Sequence, residues 1–179
     1  MKNANPVSRL LGSLAMAAGV FLLASCGQAE KAASSEPKTT QDWFTIKVGE
    51  VGVDMQLAVS STEMQRGLMG RRDLKAGQGM LFVYRDPQVQ SFWMRNTPTA
   101  LDIGFFTNDG GLREVYPLFP FDERTVKSHR EDLQYALEVK QGWFDFSGVK
   151  VGDRIDLGAV EAALIERGFD ARKFRGLAE

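Results

Sequence analysis

Residues 44–59 read FTIKVGEVGVDMQLAV, a stretch in which apolar and polar side chains alternate in two successive runs. The first run has Phe44, Ile46 and Val48 at alternate positions, and the second has an apolar residue at every odd position of residues 51–59. Alternation with a period of two is typical of β-strands with one buried face. The stretch therefore predicts two antiparallel strands joined by a turn at the Gly-Glu pair between them.

Two other segments predict helices. Ser60 or Ser61 can accept backbone N–H groups at a helix start, and Met64 and Leu68 follow at a helical spacing of four. Near the end of the chain, apolar residues fit a helical stripe over about residues 159–168.

Strand signals dominate the middle of the chain. Residues 79–84, Gly-Met-Leu-Phe-Val-Tyr, are apolar without interruption, which is typical of a strand covered on both faces. Further strands are predicted at residues 91–96, 101–106, 112–118, 135–140 and 154–157, with a hairpin turn at 108–111. Because an α/β fold would need a helix between most strands, we expect a mainly β domain. Its predicted form is a jelly-roll-like antiparallel β-sandwich or barrel, with a short helix after the first hairpin and a C-terminal helix.

The first residues have the composition of an export signal. Lys2 and Arg9 precede an apolar run from Leu10 to Ala24, and small residues stand before Cys26. This order is typical of a secretory signal peptide. The run holds about 15 residues, whereas a membrane-spanning helix needs roughly 20, so a retained transmembrane anchor is the less favoured alternative.

Cys26 is the only cysteine of the chain and directly follows Leu-Ala-Ser. This arrangement resembles the lipobox of bacterial lipoproteins, which implies cleavage before Cys26, a diacylglycerol on its sulfur and usually a third acyl chain on its amine. Two or more acyl chains hold a protein stably in a membrane. The predicted partner is therefore a membrane, and the predicted location is the cell envelope. Gly27 fits sorting to the periplasmic face of the outer membrane.

The chain divides into four predicted segments. Residues 1–25 form the lipoprotein signal peptide, and residues 26–42 form the lipidated cysteine and a flexible tether, because no large apolar side chain occurs there. Residues 43–157 form the β domain, and residues 158–179 form a C-terminal helical extension. Removing the signal peptide leaves 20 Lys and Arg against 23 Asp and Glu. This mildly acidic balance argues against a nucleic-acid partner.

Seven short motifs follow one another in a fixed order through the β domain. They are Arg66-Gly67-Leu68-Met69-Gly70-Arg71, Gly79-Met80-Leu81-Phe82-Val83, Phe92-Trp93-Met94-Arg95-Asn96-Thr97, Leu101-Asp102-Ile103 with Phe105-Phe106, Tyr135-Ala136-Leu137-Glu138-Val139, Gly142-Trp143, and Gly148-Val149 with Val151-Gly152-Asp153. Together they resemble DUF192, a bacterial and archaeal domain of unknown function, over about residues 43–157. The resemblance implies a compact β-sandwich or jelly-roll-like fold that is often secreted or lipid-anchored, with no established activity.

Polar side chains within the predicted strands are the candidates for function. In an extended strand Trp93 and Arg95 point to one face and Asn96 to the other. Asp102 and Glu138 each lie between apolar neighbours, where a carboxylate needs a partner or water. The arginines available as partners are Arg66, Arg71 and Arg95.

Three interpretations of this set stay open. In the first, Arg66 or Arg71 pairs with Asp102 or Glu138 and fixes the short helix on the sheet. In the second, the set lines a pocket for a polar ligand, with Trp93 as a stacking platform; its predicted ligand-binding residues are Trp93, Asn96, Asp102, Arg66, Arg71 and Arg95. In the third, Asp102 and Glu138 act as an acid and base pair on a glycosidic bond.

Other kinds of chemistry have weaker support. Four methionines, Met64, Met69, Met80 and Met94, could bind Cu(I), but methionine more often fills gaps in a core. His129 lies in a charged stretch without a Gly-x-Ser-x-Gly motif, and phosphate-binding glycine motifs are missing. We therefore expect no metal and no cofactor.

The leading hypothesis is an envelope lipoprotein that binds, without catalysis, a small polar or carbohydrate-like ligand or an envelope protein. The alternatives are a hydrolase of envelope glycans acting through Asp102 and Glu138, and a structural or assembly factor of the envelope.

Overall fold

A computed structural model describes residues 36–177. The strands are β1 (Phe44–Val48), β2 (Val51–Ala58), β3 (Gln78–Gln88), β4 (Ser91–Phe92), β5 (Leu101–Thr107), β6 (Leu112–Leu118), β7 (Val126–Lys127) and β8 (Leu133–Lys140). The helices are α1 (Ser61–Arg66), α2 (Trp143–Ser147) and α3 (Leu157–Glu166), followed by a single 3-10 turn at Ala171–Lys173. The predicted mainly β class is confirmed.

Six strands form one open sheet in the order β1-β2-β3-β8-β5-β6, and β4 pairs with β7 in a separate two-stranded sheet. The pair β2 and β3 is parallel, whereas the other pairs are antiparallel. The prediction of a purely antiparallel fold is therefore wrong, and the strands within residues 36–177 form no closed barrel. The long connection of residues 59–77, which includes α1, allows β3 to return in the same direction as β2.

Apolar side chains cover both faces of the large sheet. The first face, built around Leu57, Leu81 and Val139, packs against α2, α3 and the residues that follow them. The second face, built around Phe82, Phe105 and Ala136, packs against the connection from α1 to β3 and the β4 region. Both faces of residues 79–83 are buried, as the continuous apolar run predicts.

The short helix α1 forms where the sequence predicts it. Ser60 is its N-cap and accepts the backbone N–H of Glu63, while the Glu63 carboxylate accepts the N–H groups of Val59 and Ser60. This capping box satisfies backbone donors that a helix start leaves open. The helix ends at Gly67, whose φ of 45° suits a residue without a Cβ.

Two predicted strands are shorter than expected. The strand at 91–96 ends at Phe92, because the chain then turns and Asn96 takes a left-handed φ of 55°. The strand at 154–157 is reduced to two isolated bridges, Arg154 with Gly111 and Ile155 with Val48, before α3 begins. The predicted C-terminal helix and the hairpin between β5 and β6 are confirmed. Helix α2, between two left-handed glycines, is an element that the sequence pattern did not predict.

The last part of the predicted tether packs against the domain. The backbone N–H of Lys38 donates to the carbonyl of Glu166, the two side chains form an ion pair of 2.6 Å, and Arg167 donates to the Lys38 carbonyl. Lys38, within the predicted tether 26–42, is therefore held at the end of α3. The predicted signal peptide 1–25 and Cys26 lie outside the described residues. In the described part of the chain no helix is long and apolar enough to cross a membrane.

Candidate functional site

The two carboxylates singled out in the sequence lie on neighbouring strands. In the pairing of β5 with β8, Asp102 is opposite Val139 and Ile103 is opposite Glu138. Paired residues share a face of a sheet and successive residues alternate, so Asp102 and Glu138 point to opposite faces. This placement separates the two carboxylates that the sequence suggested as an acid and base pair.

Asp102 lies on the first face, beside α2. Its Oδ2 accepts the backbone N–H of Gly142 at 2.7 Å, at the start of that helix. Partial burial, with a smaller effect from Asp145, raises the pKa of Asp102, although the bond from Gly142 acts to lower it. Asp102 thus fixes the turn into α2 and does not belong to a pocket with Trp93.

Glu138 lies on the second face, next to Met80 of β3 and Ile103 of β5. Only 4% of the residue is exposed to solvent. Burial alone raises the pKa of its carboxyl group to about 8, and no hydrogen bond or nearby cation among residues 36–177 offsets that effect. A buried carboxylate without a partner is costly, so the group is held mainly in its neutral form at pH 7.

The Glu138 side chain reaches a cleft of about 340 Å³ between α1 and the sheet. We call this the Glu138 cleft. One wall is α1 and the segment that follows it, and the other is β3 with the β4 region. Its lining residues are Ser61, Met64, Gln65, Arg66, Gly67, Leu68, Met69, Phe82, Tyr84, Ser91, Phe92, Trp93, Thr97 and Glu138. The lining combines aromatic rings, thioethers and one acidic group.

Backbone geometry brings the α1 wall close to the sheet. A Cβ atom at Gly67 would lie 3.3 Å from the Phe82 ring, so the absence of a side chain at this position allows the turn to approach β3 closely. The N–H of Gly70 donates to the carbonyl of Asn96 at 2.8 Å, so the segment after α1 is tied to the loop that carries Trp93. The two sides of the cleft are thus linked at one end.

Trp93 stands at the mouth of the cleft, where 41% of the residue is exposed. The Arg95 guanidinium lies 4.1 Å from the centroid of the indole and forms an ion pair of 2.8 Å with Glu123. This stacking orders the Trp93 side chain. Asn96 is exposed and contributes its backbone carbonyl to the loop, and it is not among the residues that line the cleft.

Arg66 and Arg71 lie on the α1 side of the sheet. Arg66 lines the Glu138 cleft and also a neighbouring depression of about 650 Å³. Arg71 lines only the depression, where it donates to Gln56 at 2.9 Å and lies 5.5 Å from the Trp43 ring. Neither arginine pairs with Asp102 or Glu138 within the described chain, so the predicted ion pair that docks the helix is wrong. Arg167, bonded to Glu63 at 2.6 Å, has that role.

Comparison with known proteins identifies a family for this chain. Residues 44–157 match the DUF192 family, which is described as uncharacterized ACR. The chain belongs to the DUF192 family. This confirms the resemblance seen in the sequence motifs, and the six-stranded sheet with the Glu138 cleft lies within the matched region.

Two crystal structures are similar to this DUF192 domain. A protein of unknown function from Novosphingobium aromaticivorans has 30% sequence identity and a TM-score of 0.60, over 64% of this chain and 84% of that one. A protein from Sinorhizobium meliloti, named as a candidate transcription regulator, has 30% identity and a TM-score of 0.59, over 64% and 92%. No curated protein matches the chain significantly.

Sequence reasoning missed two residues that line the Glu138 cleft, Tyr84 and Thr97. Tyr84 follows the buried run of β3, and burial together with the charge of Glu138 raises its pKa to about 12. Thr97 is buried at the far end of the loop that carries Trp93. Alternation along β3 was the available signal. Met80, Phe82 and Tyr84 are two residues apart, so all three side chains lie on the face of the sheet that carries Glu138.

The remaining sites considered in the sequence do not assemble. Met64 and Met69 line the Glu138 cleft, but Met80 and Met94 are core residues, so the four methionines form no common site. Residues 36–177 contain no cluster of three His, Cys, Asp or Glu side chains suited to a metal. The Nδ1 of His129 lies 3.1 Å from the Tyr116 hydroxyl, and the Ser128 hydroxyl donates to Arg130 instead.

Proposed function

We propose that this DUF192 domain binds a small polar ligand in the Glu138 cleft, without catalysing a reaction on it. The observation that carries the proposal is the buried carboxyl group of Glu138, which has no protein partner among the described residues and faces the cleft. Burying a carboxyl group without a partner costs free energy, and an apolar residue of similar size would avoid that cost. A ligand that supplies the missing partner explains why the group is there.

The lining supports a ligand of modest size. Trp93 offers an exposed indole edge at the mouth, and Phe82 and Phe92 supply apolar surface deeper in the cleft. Small-molecule sites combine such apolar walls with a few placed polar groups. Carbohydrate-like rings stack on aromatic side chains of this kind, so a sugar-like ligand is one candidate class.

Catalysis on a glycosidic bond has less support. The usual mechanisms need two carboxyl groups on opposite sides of the bond. Glu138 is the only carboxyl group in the lining of the cleft, since Asp102 points to the other face of the sheet. The envelope-protein partner and the assembly role remain hypotheses alongside ligand binding.

We also propose that the domain is held at the envelope by acyl chains on Cys26. The described domain begins close to that residue, and residues 27–35 would span at most about 30 Å when extended. The anchor would keep the cleft near the membrane surface.

The test compares three substitutions in the full-length protein. Glu138→Gln removes the acidic group, Trp93→Ala removes the platform, and Asp102→Asn is the matched control on the opposite face. A panel of glycans and envelope metabolites is screened by thermal shift. The proposal predicts hits that weaken about tenfold in the first two variants and not in the control. Equal affinity of all folded variants for every hit would contradict it.

A further inference from the structure

We propose that the ligand of the Glu138 cleft carries a positive charge, an organic ammonium group that pairs with the Glu138 carboxylate. This inference rests on the proposed function and adds the chemical class of the ligand. It starts from the geometry of the cleft, in which the acidic group lies at the base and aromatic and thioether side chains form the walls.

No cation among the described residues balances the charge of the Glu138 carboxylate at the bottom of the cleft. Arg66 lines the same cleft, but its exposed guanidinium makes no ion pair with Glu138 and does not stabilise its charged form. Tyr84 lies close enough to feel the charge of Glu138, and because its pKa is raised to about 12 its hydroxyl group is neutral near pH 7. An ammonium group would supply the cation that the protein does not.

The walls favour the same ligand. Trp93, Phe92 and Phe82 bring three aromatic rings to the lining, and Phe82 and Phe92 meet edge to face at 4.9 Å. The Arg95 guanidinium covers one face of the Trp93 indole at 4.1 Å, so the other face is the one open to a ligand. Rings of this kind attract cations through their electron-rich faces, and aromatic pockets are a recurrent way to bind ammonium ligands. Met64 and Met69 add polarizable surface that adapts to the shape of a ligand.

A neutral or anionic ligand fits these observations less well. A neutral sugar would accept a hydrogen bond from protonated Glu138, but it would leave the cost of charging this group uncompensated at higher pH. An anion would face a buried acidic group with no opposing cation at the base of the cleft. Among the described lining residues the one arginine is Arg66 of α1, whose side chain is exposed.

The inference has a pH signature. The titratable and charged groups facing Glu138 are Tyr84 from β3 and Arg66 from α1, and β5 presents the apolar Ile103. Arginine stays charged in this range, and the pKa of Tyr84 is about 12. Glu138 alone changes charge between pH 6 and pH 9. Affinity for a permanent cation therefore rises by about tenfold per pH unit from pH 6 and levels off above about pH 8.

The experiment uses isothermal titration of the full-length protein with two matched pairs of probes. The first pair is choline and its neutral tert-butyl analogue, and the second is n-butylammonium and n-butanol. Glucose serves as a neutral polar probe. We expect each cation to bind at least about tenfold more tightly than its neutral partner at pH 8. We also expect the preference to disappear in Glu138→Gln and to persist in Asp102→Asn.

The outcomes separate this inference from the proposed function. If glucose or the neutral analogues bind as well as the cations and still depend on Glu138, the cleft is a ligand site but the cationic class is wrong. Cation binding that survives in folded Glu138→Gln would likewise overturn the class. If none of the probes binds at millimolar concentration, and the glycan and metabolite panel gives no hit, both proposals fail.

Discussion

The Nη2 atom of Arg167 lies 2.6 Å from Oε1 of Glu63, which joins the end of α3 to the first turn of α1. The guanidinium also donates to the carbonyl of Leu57 at 2.6 Å, and only 4% of its side chain is exposed. One buried cation therefore holds β2 and both helices together. Because α1 is a wall of the Glu138 cleft, this contact fixes the position of that wall.

Replacing Arg167 with Met should lower the free energy of unfolding by about 3 kcal/mol, because the carboxylate of Glu63 and the Leu57 carbonyl lose their partner. Urea denaturation at pH 7 measures the change. The pair of the exposed Arg124 with Asp122 provides the control, since Arg124→Met should lower the free energy of unfolding far less. Equal effects of the two substitutions would show that Arg167 does not hold α1.

Glu63 should also make the fold sensitive to acid. Partial burial acts to raise its pKa, but hydrogen bonds from Ser60 and Val59 and the charge of Arg167 outweigh it, so the pKa is lowered. A lowered folded pKa means that the stabilisation is present above the ordinary glutamate range and is lost as pH falls through the folded pKa. Denaturation between pH 3 and pH 6 should show a smaller loss for Glu63→Gln than for the parent. Parallel curves would contradict the assignment.

Glu138 should make the fold less stable at high pH, the opposite of the effect of Glu63. Its folded pKa of about 8 is above the value of an exposed glutamate. The neutral form therefore stabilises the fold fully at low pH, and this stabilisation is lost as pH rises through about 8. Glu138→Gln should become more stable than the parent by on the order of 5 kcal/mol at pH 9, while the two proteins are similar at pH 4. Equal stability at pH 9 would show that the Glu138 carboxylate is solvated or paired.

Gly104 should tolerate no side chain. A Cβ atom there would lie 2.5 Å from Cζ of Phe144, which packs α2 on the sheet. Gly104→Ala should cost about 2 kcal/mol through overpacking. Gly52→Ala is the control, because its Cβ would make an ordinary contact of 3.4 Å with Thr45. If calorimetry gives both variants the same melting temperature, α2 does not pack as described.

Acylation at Cys26 should change the mass of the mature protein. The protein purified from its own cells should begin at Cys26 and carry acyl chains, and Cys26→Ser should release it from the membrane fraction. Mass spectrometry of the intact protein measures both. An intact leader, or an unmodified thiol at position 26, would contradict the envelope location.

The sequence predicted the parts of the fold that depend on local pattern. Alternation located β1 and β2, the apolar run located the buried part of β3, and Ser60 located the start of α1. The parallel pairing of β2 with β3 depends on how residues 59–77 cross the sheet, which no local pattern encodes. The strand predicted at 91–96 is shorter in the structure because the chain enters a loop after Phe92. The left-handed backbone of Asn96 belongs to that loop and has no signal in the alternation of the sequence.

The candidate site was predicted in pieces. Trp93, Arg66 and Glu138 were singled out, and the structure brings all three to one cleft. Alternation along each strand predicts that Asp102 and Glu138 each point to the other face from their apolar neighbours. Only the register of β5 against β8 shows that the two carboxylates point to opposite faces of the sheet.

Within residues 36–177 the Glu138 carboxyl group is buried in the cleft without a protein partner. Carbon NMR of the protein labelled at glutamate side-chain carboxyls measures this directly, with Glu138→Gln identifying the resonance. The account predicts a titration midpoint near pH 8 without ligand, and a midpoint lowered by at least about one pH unit when choline is bound. A midpoint near the ordinary glutamate value in the absence of ligand would contradict it.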